Sequence, residues 1–221
     1  MVQLRLMSTD ESRGVLLFDL DDTLYQTSYY ALIKANKLPG FSYTMDDWVS
    51  YAWLHDKLVA DAEMTEEEAF EFLYGHAAIE EVPLFDNVYY CLRILHDLGF
   101  EIAVVTSRPP NQRDITVKKV IEDLKGIVSL ENIYIRENSM VSGDELKLGV
   151  AKVLSPVAYL DDNGKTLKYL QENLSDSIFT EVLRLMGRPW NVDFEDLNDY
   201  RHKTFMEFVV WLVIKYDLKI V

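Results

Sequence analysis

Cysteine is nearly absent: Cys91 stands alone in 221 residues, so no internal disulfide is possible. It falls among the periodic apolar positions Val88, Leu92 and Leu95, where a small buried thiol belongs. Proline (6) and glycine (9) are scarce, which excludes a linker-rich or low-complexity chain. Positive charge is thin as well. Twenty-two Lys and Arg face 37 Asp and Glu, a net charge of −15, and no basic cluster interrupts the acidic surface. Polymeric nucleic acid is excluded as a partner on that ground. The longest late apolar run, Phe208 to Ile214, is too short to span a bilayer and is flanked by Glu207 and Lys215, so no membrane is expected. The first thirteen residues contain acids and no apolar signal core, and a cytoplasmic location is the expectation. His55, His76, His96 and His202 show no paired ligand spacing, and neither G-x-S-x-G nor G-x-G-x-x-G occurs.

What is present is an alternation. Gly14 to Asp19 is a continuous apolar run ending in carboxylates, the pattern of a buried parallel strand. Similar runs follow at Glu101 to Thr106, Asn132 to Arg136, Pro156 to Asp161 and Thr180 to Leu185. Helical periodicity fills the intervals Asp86 to Leu98, Asn111 to Lys125 and Leu146 to Leu154, and a last helix is expected over Asp199 to Leu218. This predicts an α/β protein with a doubly wound parallel sheet. Between Tyr25 and Phe85 the alternation stops and the chain reads as helices, one opened by the capping box Thr65 to Glu68. The expected organisation is a core of residues 1–24 and 86–221 with an inserted helical cap, 25–85. The stretch Asp61 to Glu81, with no Lys or Arg, reads as a solvated face.

Phe18-Asp19-Leu20-Asp21-Asp22-Thr23-Leu24 is the most informative run. Carboxylates two positions apart just beyond a buried strand project from one turn into the same space, and their repulsion calls for a cation or a shared proton. Phosphoryl transfer uses such a pair: one carboxylate attacks phosphorus while the other protonates the leaving oxygen and later deprotonates water. Three further features lie at strand or helix ends. Thr106 and Ser107 close the second strand with Arg108 directly beyond, Asp161 and Asp162 close the fourth, and Lys147 opens the helix before it.

These runs, in this order, resemble the motifs of the haloacid dehalogenase-like superfamily over nearly the whole chain. The resemblance implies a phosphohydrolase with Asp19 as nucleophile and Asp21 as acid and base, the Asp21 carbonyl also meeting Mg²⁺. It further implies that Thr106, Ser107 and Lys147 hold phosphate, that Asp161 is a metal ligand, and that Asp162 and Arg108 support the site. Lys118, Lys119 and Lys152 compete with Lys147 for the lysine role. The position of the insertion resembles a C1-type cap, which implies a small soluble phosphate ester as substrate.

Other readings remain open at this stage. A phosphomutase or a sugar-phosphate phosphatase would carry the same motifs. A receiver-like phosphotransfer module also clusters acids, a hydroxyl and a Lys, but needs no helical insertion. Aromatics crowd the insertion, among them Trp48, Tyr51 and Trp53, and either stack on a nucleobase or form the insertion's own core. Arg188-Pro-Trp-Asn191 is similar to an ending found in the deoxyribonucleotidase branch, which together with the cap makes a nucleoside monophosphate the first substrate to consider.

Overall fold

Leu16, Leu17 and Phe18 are apolar without alternation, and all three are fully buried in strand β1 (Val15–Phe18), as a parallel strand covered on both faces requires. The computed structural model describes residues 12–50, 52–174, 183–191, 194 and 201–218. The remaining described strands are β2 (Glu101–Thr106), β3 (Ile133–Ile135), β4 (Ala158–Asp161), β5 (Leu183–Met186) and β6 (Arg201–His202). They form one parallel sheet in the order β3-β2-β1-β4-β5-β6.

The chain winds outward from β1 to β3, then returns beside β1 and winds the other way from β4. A crevice opens beyond the C-terminal ends of the strands where the direction changes. Phe18 is paired with Leu160, so Asp19 and Asp161 leave the sheet at the same level. A receiver module carries its strands in the order 2-1-3-4-5, which this sheet does not follow.

The two faces of the sheet bury separate cores. Leu16 and Phe18 pack with Val88, Leu92 and Leu95 of α5 (Val88–Asp97) and with Phe208 and Leu212 of the C-terminal helix (Phe205–Lys215). Leu17 and Tyr159 pack with Val150 and Ala151 of α7 (Gly143–Leu154) and with Leu167 and Leu170 of α8 (Gly164–Asn173). The helix after β2 is α6 (Arg113–Asp123), and the C-terminal helix is α9.

The helix carrying Lys147 starts at Gly143 rather than Leu146, because Ser142 and Glu145 close a capping box around its first turn. The C-terminal helix starts later than the periodicity suggested. Thr204 caps it, its Oγ1 accepting from Glu207 N at 3.2 Å, and Arg201–His202 form β6 instead of a first helical turn. Asp199, and Thr180 to Val182 of the fifth apolar run, lie outside the described residues. No helix among the described residues is long and apolar enough to cross a membrane.

Between β1 and α5 the chain forms α1 (Thr27–Ala35), α2 (Trp53–Asp61), α3 (Glu66–Tyr74) and α4 (His76–Glu81). Their inward side chains, including Ala31, Leu32, Leu54, Leu58 and Leu73, make a third hydrophobic cluster that Trp190 joins from beyond β5. Thr65 caps α3 as its sequence indicated: its Oγ1 accepts from Glu68 N, and Glu68 returns a carboxylate to Thr65 N at 2.8 Å. The chain leaves and re-enters the core along adjacent segments, with Gln26 N donating to Pro83 O and Phe85 N to Leu24 O, both at 2.9 Å.

Candidate active site

Asp19 continues the ladder for one residue, its N donating to Leu160 O at 2.9 Å, and the backbone then turns away. The turn places Asp22 in the left-handed region at φ +54, a conformation Asp tolerates better than most residues. Ser28, near the start of α1, holds that turn: its N–H donates to Asp22 Oδ1 at 2.8 Å and its hydroxyl donates to Oδ2. Arg188 braces the turn from β5's side, its Nε donating to the Asp22 carbonyl at 2.8 Å while its guanidinium lies 4.3 Å from the centre of the Phe85 ring.

The carboxylates of Asp19 and Asp21 therefore face different surroundings. Lys147 Nζ lies 2.7 Å from Asp19 Oδ1 and 2.9 Å from Asp161 Oδ2, buried with both. Of the competing lysines, Lys118 pairs with Glu80 and Lys119 with Asp123, while Lys152 is exposed. Asp161 also accepts from the Tyr159 hydroxyl through Oδ2 and from Asn163 N at 2.9 Å through Oδ1. Asp21 points elsewhere. Arg108 grips it with two bonds, Nε to Oδ2 at 2.9 Å and Nη2 to Oδ1 at 2.6 Å, and Thr27 donates to Oδ1 at 2.7 Å.

Burial pushes the Asp19 carboxyl up to about 8, Lys147 pulling it down and Asp161 and Asp21 pushing the same way as burial. Asp21 is only partly buried; burial would raise its carboxyl, but the Arg108 guanidinium, with the Thr27 hydroxyl and Lys147, holds it below the usual range. Burial would lower Lys147, yet Asp161 and Asp19 raise it well above an ordinary lysine.

One oxygen each from Asp19, Asp161 and Asp162 lie within 4.8 Å of one another, all buried. Burial raises the Asp162 carboxyl, and the negative charges of Asp19, Asp22 and Asp161 raise it further. With Lys147 the one cation among the described residues in contact with Asp19 and Asp161, an all-oxygen set of this kind fits a hard divalent cation such as Mg²⁺.

Thr106 and Ser107 occupy the end of β2. The buried Thr106 Oγ1 accepts from Arg108 N at 3.2 Å, while Ser107 is exposed and its side chain packs against Gly143, where an added Cβ would come within 2.2 Å of the hydroxyl oxygen. The structure thus gathers Asp19, Lys147, Asp161 and Asp162 into one cluster and sets Asp21 with Arg108 beside it.

Sequence reasoning did not single out Thr27, Ser28, Tyr159, Gln112 or Tyr74: the first three reach acids two to six residues away through the local turn or strand, where Ser, Thr and Tyr are too common to stand out, and Gln112 meets Tyr74 from 38 residues away. Asn191 does more than its motif suggested. Its Nδ2 donates to Asp162 O at 2.6 Å and Met186 O at 3.0 Å, and its Oδ1 accepts from Gly164 N at 3.2 Å. Trp190 donates to Asp162 Oδ2 at 3.1 Å. Trp48 and Trp53 are core residues of the helical segment, so they are not the stacking surface considered above, and Tyr51 lies outside the described residues.

Above Asp21 a cavity of about 170 Å³ separates the strand ends from α3 and α4. Gln112 Nε2 donates across it to Tyr74 O at 2.7 Å, His76 Nε2 reaches Asn111 O at 3.2 Å, and Lys118 pairs with Glu80 at 3.6 Å. These contacts fasten the helical segment over the crevice.

No family model matches the sequence, and no curated protein matches it either. Solved structures do match along almost the whole length. A HAD family hydrolase from Deinococcus radiodurans, solved with bound phosphate and sodium, superposes with a TM-score of 0.63 at 15% identity, covering 94% of this chain and 98% of that one. The chain has the haloacid dehalogenase-like fold. A haloacid dehalogenase-like family hydrolase from Streptococcus pneumoniae gives 0.62 at 15% identity over 90% of this chain and 98% of its own. A predicted phosphoglycolate phosphatase from Haemophilus somnus gives 0.59 at 16% identity over 90% and 97%.

Proposed function

We propose that this chain is a Mg²⁺-dependent phosphomonoester hydrolase that works through an aspartyl phosphate on Asp19. The observation that carries the reading is the division of the two motif carboxylates. Asp19 faces Lys147 and the other buried acids, whereas Asp21 faces the cavity. The fold shared with solved phosphohydrolases supports it.

In this reading Asp19 attacks phosphorus, forming a new P–O bond as the bond to the alcohol breaks, and Asp21 delivers a proton to the departing oxygen. Water then attacks the phosphorus, giving its proton to Asp21, and inorganic phosphate leaves with Asp19 regenerated. Lys147 offsets the charge between nucleophile and phosphoryl oxygens, and the Thr106 hydroxyl is placed to hold one of those oxygens. Mg²⁺ held by Asp19, Asp161 and Asp162 would shield the attacking carboxylate from its anionic target. Asp21, bonded twice to Arg108, is ionised. To act as an acid it must first take up a proton, from solvent or from the phosphate monoanion of the substrate, and release at least one of those bonds, and an entering phosphate offers Arg108 a competing acceptor.

Residues 25–85 act as a cap in this account, which limits substrates to small soluble esters, with nucleoside monophosphates first among them, and leaves protein phosphates and nucleic-acid ends outside. Hydrolysis of p-nitrophenyl phosphate with Mg²⁺, stoichiometric release of inorganic phosphate and loss of activity with a chelator are the expected results. Full activity in excess EDTA would contradict the metal assignment, and phosphate retained on a second substrate position would indicate a mutase.

A further inference from the structure

A general acid must touch the oxygen it protonates, so the leaving alcohol lies on the side of Asp21. That side opens into the cavity beneath α3 and α4, whose lining includes Asp21 but not Asp19. The cavity's walls thus describe the alcohol. Across from Asp21 they are apolar: Phe70, Leu73, Ala78, Ile79 and Val82. Arg108 is the one cation among the lining residues, and Asp21 holds it through both carboxylate oxygens. Gln112 is turned toward the Tyr74 carbonyl.

Acidic side chains lie close to the cavity as well. Besides burial, the charges of Asp22, Asp21 and Asp162 raise the Tyr74 phenol, another lining group. An anionic leaving group would lie near those carboxylates, meet an apolar wall and find Arg108 engaged by Asp21 or by the transferring phosphoryl group, and an unpaired buried carboxylate is strongly disfavoured.

We propose that this cavity selects phosphomonoesters whose leaving alcohol is uncharged and largely apolar, and rejects those carrying a second anionic group. The inference rests on the phosphomonoester hydrolase reading above and adds the chemical class of the substrate. Nucleosides meet the charge requirement, as do aromatic and branched alkyl alcohols, whereas carboxylated alcohols and sugar bisphosphates do not.

The test compares benzyl phosphate with 2-phosphoglycolate, both esters of unactivated alcohols, so that leaving-group reactivity does not set the outcome. With Mg²⁺ and the full chain, kcat/KM for benzyl phosphate should exceed that for 2-phosphoglycolate by on the order of 10²-fold. Phe70 is 42% exposed at the cavity. The substitution Phe70→Lys puts a cation there at a position that tolerates one, and should shrink that ratio by about tenfold. Equal or better turnover of 2-phosphoglycolate by the unaltered protein would overturn the inference and leave the phosphatase reading standing. An unchanged ratio in Phe70→Lys would place the alcohol elsewhere and overturn it too. Failure to hydrolyse either ester and p-nitrophenyl phosphate would overturn both readings together.

Discussion

Asp19 and Asp21 sit two residues apart on one turn, yet their neighbours come from different elements: Lys147 for the first, Arg108 and Thr27 for the second. The acids themselves were legible in the sequence, since their spacing beyond an apolar strand is a local property. Arg108 was placed at the site by its position beyond Ser107, but its pairing with Asp21 was not legible, because the two stand 87 residues apart and only the parallel pairing of β1 with β2 brings them near. Asn191 shows the same limit. Its side chain satisfies backbone groups of Asp162, Met186 and Gly164 at once, a role that no pattern around Arg188-Pro-Trp-Asn191 reveals. Asn191→Ala leaves those buried groups short of partners and should destabilise the fold by about 1–3 kcal/mol in urea denaturation. It should also weaken Mg²⁺ binding, because the loop carrying Asp162 loses its fastening. Unchanged stability would show that water replaces the amide without cost.

At the scale of elements, β1, β2 and β4 were readable because apolar runs end in polar chemistry. The late helix starts later than its periodicity indicates because Arg201–His202, too short to show a strand period, pairs with Leu185 and Met186 instead. Burial there has a measurable consequence. His202 lies against Phe208 and Trp211, and burial, aided by Arg184, lowers its imidazole from 6.5 to about 4, with Glu207 opposing. Between those values the unfolded chain takes up a proton that the folded chain does not, so stability present above pH 6.5 is lost as pH falls toward 4. His202→Phe removes the titration and should lose less stability than the parent between pH 7 and pH 5 in paired thermal melts. An identical loss in both proteins would mean that this ring does not titrate in the window. The cap of α3 was legible down to the residue, and Thr65→Ala should cost about 1 kcal/mol.

At the scale of the whole molecule, the strand order sets the crevice, the crevice collects three buried carboxylates, and an overall charge of −15 leaves a cation as the natural ligand there. If Mg²⁺ is the ligand of this cluster, as proposed, it should raise the melting temperature by about 5 °C when present at about 100 times its dissociation constant. The variant Asp162→Asn should lose most of that shift. The sheet was expected from the alternation of apolar runs with helical segments and the acid cluster from the motifs at their ends, whereas the apolar cavity was not, since its walls come from helices whose packing only the folded chain decides. The central claim is that Asp19 is the group phosphorylated and Asp21 the group that moves protons. Rapid-quench measurement of phosphate on protein with an aryl phosphate tests it most directly. Asp19→Asn should show none. Asp21→Asn should be phosphorylated, because an aryl oxide leaves with little protonation, and then stall before hydrolysis, with turnover down by about 10² to 10⁴-fold. Phosphate accumulating on the Asp19 variant and not on the Asp21 variant would contradict the account and exchange the two roles.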